Sequence, residues 1–103
     1  MREVWRILHE AGADVVVNGD DHLYERFGPQ DPDGRPDPLG IRQVTVGTGG
    51  APLSGFRSVQ PNSEARSSTF GVLKLTLKPD SFEWEFVPIP GANFRDFGAG
   101  ECH

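Results

Sequence analysis

The chain has 103 residues, room for one small domain, which excludes a multi-lobed enzyme within this length. It is 36% hydrophobic and 24% charged, with 13 glycines and 9 prolines, a composition lean in core residues and rich in loop formers. Ten Lys and Arg stand against 15 Asp and Glu, a net charge of -5 with no basic cluster, so no nucleic-acid partner is expected.

In chain order, Val4, Trp5, Ile7 and Leu8 fall at helical spacing, and Ala11, Gly12 and Ala13 form a natural stop, predicting a short amphipathic helix over 3–10. Val15, Val16 and Val17 then form an uninterrupted β-branched run, the pattern of a strand buried on both faces of a sheet. It ends at Asn18 and Gly19. Polar residues at the carboxyl end of such a strand open into the crevice where α/β proteins place their sites, and there lie Asp20, Asp21 and His22.

Residues 28–40 hold four prolines, three aspartates and three glycines and read as a long loop. Residues 41–46 alternate imperfectly and predict a second strand that stops at Gly47, Thr48, Gly49 and Gly50. Residues 51–69 read as irregular. Leu73, Leu75 and Leu77, then Phe82, Trp84 and Phe86, alternate with polar residues on either side of a turn at Lys78, Pro79, Asp80 and Ser81. The two strands share one apolar and one charged face, with Lys74 opposite a glutamate. The tail 91–103 shows no period, and its terminal His103 is expected to be disordered.

Residues two apart in an extended segment point the same way, so Asp20 and His22 can converge on one point, with Asp21 as a further donor. A carboxylate and an imidazole suit Zn, Mn or Fe, although a hydrolytic centre needs at least three protein ligands. Against the ligand reading stand a hydrogen-bonded turn histidine and aspartates that cap a strand end. Tyr24 and Arg26 are candidates to position an anionic substrate, Arg26 by a forked contact to phosphate, against packing and a salt link with Glu25. The 47–50 glycine loop offers N–H groups to an anion or is a tight strand-end loop. His9 reads as a surface residue, and no nucleophile stands out.

The run from Val15 through Asn18, Gly19, Asp20, Asp21, His22, Leu23, Tyr24, Glu25 and Arg26 resembles the last metal-binding motif of the calcineurin-like metallophosphoesterases, above all their purple acid phosphatase-like branch. There a buried strand ends in Asn-Gly-His-Asp-His followed by Leu-Tyr-Glu-Arg. The likeness continues through residues 47–52 and 70–75 to the Trp84 hairpin, and what it covers is the C-terminal portion of that domain.

The resemblance implies an α/β fold: half of a metallophosphoesterase β-sandwich, with one short helix and a mostly β remainder, occupying 1–103 as a single truncated domain. It implies a divalent metal and a metal-dependent hydrolase of phosphate esters, with His22 as a metal ligand and Asp20 as a substituted one. His22 and Asp20 are thus the candidate catalytic and metal-ligating residues, beside Asp21 as a further donor and Tyr24 and Arg26 at the substrate from the reading of the residues themselves. Two departures qualify it. Asp20 stands where the family has the first histidine, and the family's earlier motifs, Asp-x-His, Gly-Asp-x-x-Asp and Gly-Asn-His-Asp/Glu, are not among these residues. The rival expectation is a non-catalytic module for oligomerisation or partner binding. Half a sandwich leaves apolar surface, so self-association through Val15, Val16 and Val17, as a homodimer, is expected.

The apolar runs are strand-length, far short of the roughly 20 residues of a membrane span, so no membrane partner is expected. The first residues alternate charge with bulk and carry no signal-peptide pattern, which points to the cytoplasm, although the resembling family is often secreted. A single cysteine, Cys102, excludes an internal disulfide.

Overall fold

A computed structural model describes residues 2–19, 21–55 and 60–103. Among these the order is helix α1 (Arg2–Glu10), then strands β1 (Val15–Asn18), β2 (Tyr24–Phe27), β3 (Arg42–Val46), β4 (Ser63–Ser67), β5 (Gly71–Leu77), β6 (Ser81–Pro88) and β7 (Asp96–Glu101). The protein is mostly β, with one short helix and two sheets, consistent with a partial α/β fold.

Helix α1 ends where the sequence places its stop. Gly12 takes a φ of 82°, the left-handed conformation that glycine reaches without strain. The Ala13 N–H donates to Leu8 O at 3.0 Å and the Gly12 N–H to His9 O at 3.1 Å, the paired bonds of a Schellman end.

The first sheet runs β1-β3-β2-β4, with β1 parallel to β3 and the other pairs antiparallel. The valine run is thus an edge strand rather than a strand buried on both faces, and Val17 is 44% exposed. A continuous apolar run reports what a strand could bury, not what lies beside it. Strand β4 lies within the stretch read as irregular; apart from Ala65 its Ser63–Ser67 sequence is polar, as an edge strand permits.

The second sheet is β5-β6-β7, all antiparallel. Its first hairpin has the expected register: Leu73 faces Phe86, Leu75 faces Trp84, Leu77 faces Phe82, and Lys74 stands opposite Glu85. Strand β7, in the tail read as aperiodic, pairs with β6 and sets Gly98 beside Trp84 and Gly100 beside Phe82. The aromatic rings fill the space that side chains would take there: a Cβ on Gly98 would lie 2.4 Å from Trp84 Cζ2, and one on Gly100 2.5 Å from Phe82 Cζ.

The core sits where the sheets face each other. Tyr24 from β2, Val44 from β3 and Phe86 from β6 are fully buried, with Val46, Leu73 and Phe94 packed around them. The Tyr24 and Phe86 ring centroids are 4.7 Å apart, and Phe94 lies 5.6 Å and 5.5 Å from the two, a spacing that aromatic rings favour. The terminal His103 is docked rather than disordered: its N–H donates to Asp14 Oδ1 at 2.8 Å, and its Nε2 lies 3.1 Å from Gly40 O.

Candidate functional site

The turn between β1 and β2 carries the residues that the sequence singles out. Asp20 lies outside the described residues. The Asp21 N–H donates to Gly19 O and the Leu23 N–H to Asp21 O, so the chain reverses tightly here, and buried Leu23 anchors its far side. Asp21 is exposed.

His22 is held on three sides by residues 52–54. Its N–H donates to Ser54 Oγ at 3.3 Å, and its carbonyl accepts the Ser54 N–H at 2.7 Å. Its Nδ1 lies 2.9 Å from the Pro52 carbonyl oxygen. A carbonyl only accepts, so Nδ1 carries the proton, and in the neutral ring the lone pair sits on Nε2. Among the described residues Nε2 has no protein partner within hydrogen-bonding distance. An imidazole whose other nitrogen donates to a carbonyl is the arrangement found at metal-ligating histidines.

The loop after β3 makes this geometry. Gly47 donates its N–H to Leu23 O at 3.0 Å, and a Cβ at that position would lie 2.1 Å from Asp21 O, so only glycine lets the two backbones approach so closely. Buried Thr48 ties the loop to the second sheet, its Oγ1 donating to Gly71 O at 2.9 Å while the Gly71 N–H donates to Thr48 O at 3.1 Å. Ser68 Oγ donates to Ser54 O at 2.6 Å. Residues 52–54, which follow the glycine loop, thus serve as a bracket for His22. Pro52 and Ser54 escaped the sequence reading because backbone groups supply most of the contact.

Tyr24 and Arg26 lie between the sheets. The Tyr24 hydroxyl donates to Asp96 Oδ2 at 2.5 Å. Arg26 grips the same carboxylate in a fork, Nε to Oδ2 at 2.8 Å and a terminal nitrogen to Oδ1 at 3.0 Å. Its remaining terminal nitrogen donates to Glu64, which also accepts from Arg42 at 2.7 Å; Glu25 is not the partner. Both guanidinium groups lie over the Trp84 ring, 5.0 Å and 4.6 Å from its centroid.

Burial alone would raise the Asp96 pKa, but the Arg26 and Tyr24 hydrogen bonds and the Arg26 charge hold it below the usual carboxylate range. The Tyr24 phenol is pushed up, by burial first and by its bond to Asp96 second. Asp96, Glu64 and Arg42 carried no sequence signal, since each lies far along the chain from the Tyr24 motif.

The other two histidines lie elsewhere: His9 Nε2 is 3.6 Å from Asp37 Oδ2, and His103 rests against Asp14 and Gly40. Among the described residues no group of three or more His, Cys, Asp or Glu side chains is placed to hold a metal ion. No complete metal centre is thus assembled among the described residues, and what stands at this strand end is one histidine, His22, with its Nδ1 tied to a carbonyl. Among the described residues no helix is long and apolar enough to cross a membrane.

No family model matches the chain, and no solved structure matches it. Among curated proteins, it is 40% identical over 76 residues to purple acid phosphatase 22 of Arabidopsis thaliana. The match takes in 69% of this chain and 17% of that protein, so the chain spans about a sixth of the length of this relative. The similarity supports a phosphoesterase-like relationship over a small part of that phosphatase.

Proposed function

We propose that this chain contributes a metal-ligating histidine, His22, to a phosphoesterase-like hydrolase that acts on phosphate esters. The observation that supports the reading is the Nδ1–H bond from His22 to the Pro52 carbonyl, which leaves Nε2 as the donor atom. Asp20 and Asp21 are the proposed carboxylate ligands, a mixed oxygen and nitrogen set compatible with zinc, manganese or iron. A divalent ion, when bound, supplies Lewis acidity toward a phosphoryl oxygen. The chain's own residues orient the imidazole and keep its proton on Nδ1. Tyr24 and Arg26 enter this reading as the residues that fasten strand β2, which begins two residues after His22, to the second sheet through Asp96.

The test is elemental analysis of tag-free protein before and after dialysis against chelator. Near-stoichiometric zinc, manganese or iron that disappears in His22→Ala, together with loss of phosphomonoester or phosphodiester turnover, is the expected result. A folded protein without metal would overturn it.

A second reading is favoured by a different observation, the absence of a three-ligand group among the described residues. In it the chain is a non-catalytic module of the same origin whose role is self-assembly, completed by a second copy at the open edge of β1. His22→Ala separates the two, since such a module would register only a small change in stability.

A further inference from the structure

The loop that brackets His22 does more than close a strand end. Three separate contacts reach this one residue from 52–54: Ser54 Oγ accepts the backbone N–H, the Ser54 N–H meets the carbonyl, and the Pro52 carbonyl meets the ring. The first two fix the two peptide units that flank the His22 Cα and thereby the direction of its Cα–Cβ bond. The third works only while that direction holds, because a hydrogen bond weakens steeply as its angle closes. Ser54 is itself braced by Ser68, and the loop is clamped to β5 by the reciprocal Thr48 and Gly71 bonds. A turn histidine with a merely structural purpose needs one partner, not pinned peptide units on both sides and a brace behind the pin.

We infer that Ser54 is a positioning residue for His22, holding the imidazole in its Nδ1–H tautomer so that Nε2 presents the lone pair outward. The inference rests on the reading of His22 as a metal ligand for its purpose, but its geometry is testable without metal. Ser68 acts in the same sense one step further back, through the Ser54 carbonyl.

The experiment is nitrogen-15 NMR of the His22 ring in the full chain, in metal-free buffer alkaline enough to keep imidazoles neutral, followed by titration with zinc alone. The wild type is expected to carry its proton on Nδ1. Ser54→Ala and Ser68→Ala, the latter on an exposed residue outside the core, are expected to give a mixture of the two tautomers. Ser54→Thr, which keeps the hydroxyl, is expected to restore the single form. Zinc affinity should fall about 10- to 100-fold in Ser54→Ala and recover in Ser54→Thr.

A wild-type ring protonated on Nε2, or variants that lose stability while keeping the Nδ1–H tautomer, would overturn the inference. A tautomer that behaves as expected in a protein that takes up no zinc would uphold the positioning role and overturn the metal-ligand reading instead.

Discussion

The Tyr24 hydroxyl and the Asp96 carboxylate meet at 2.5 Å across 72 positions of the chain, and the same carboxylate is forked by Arg26. This is the polar junction between the two sheets: Tyr24 and Arg26 belong to β2 and Asp96 opens β7. Asp96→Asn keeps the shape and removes the charge, leaving the Arg26 guanidinium, among the described residues, with Glu64 as its charged partner. Because the pair is part-buried and Arg26 keeps Glu64, the loss is expected at about 1–3 kcal/mol, and the variant is expected to unfold at lower urea, as circular dichroism would read. A change below about 0.5 kcal/mol would show that the junction is not a stabilising contact.

The same junction sets a two-sided pH dependence. Asp96 titrates lower in the folded chain than its ordinary 3.8, so the unfolded chain binds its proton more readily; this stabilisation is present above that value and is lost as pH falls through and below it. Tyr24 titrates higher than its ordinary 10.0, so the unfolded chain gives up the phenolic proton first; this stabilisation is present below that value and is lost as pH rises past it. Urea midpoints are expected to fall on both sides of a plateau from roughly pH 5 to 9. In Asp96→Asn the acid limb should shrink, and an unchanged acid limb would refute the assignment.

The parts of the fold that were legible in the sequence are those where side chains carry the pattern. Leu73, Leu75 and Leu77 against Phe82, Trp84 and Phe86 gave the hairpin and its register, and Gly12 gave the end of α1. Strand β7 was hidden because its inward positions are Gly98 and Gly100, where the apolar mass is supplied by Trp84 and Phe82 on the neighbouring strand. The candidate site divides the same way. His22 stood out as a ligand-type residue at a strand end, whereas its support comes from a proline carbonyl and a serine N–H, groups that every sequence contains and no sequence advertises.

The packing of Trp84 on Gly98 gives a steric prediction. A Cβ at 98 would lie 2.4 Å from the indole, so Gly98→Val must displace a ring that also stacks beneath Arg26 and Arg42. Overpacking of this kind costs about 1–3 kcal/mol. Gly49→Ala is the control, since nothing lies within 4 Å of the added methyl, and it is expected to stay within about 0.5 kcal/mol of wild type. Thermal unfolding of the two variants side by side would decide it, and equal midpoints would refute the packing account.

Self-association is the remaining expectation, and the structure gives it a surface to test. Strand β1 lies at one edge of the first sheet and β5 at one edge of the second, and Val17 and Val46 share an apolar groove with Val72, Leu73 and Leu75. An open strand edge beside exposed valines is a template for another chain. Val17 and Val72 are both exposed, so charge can be placed on them without entering the core. Sedimentation velocity at micromolar concentration is expected to find the wild type as a dimer and Val17→Glu with Val72→Glu as a monomer of unchanged circular dichroism. A wild type that sediments as a monomer throughout that range would remove the second copy from the proposal and leave the edge of β1 open in solution.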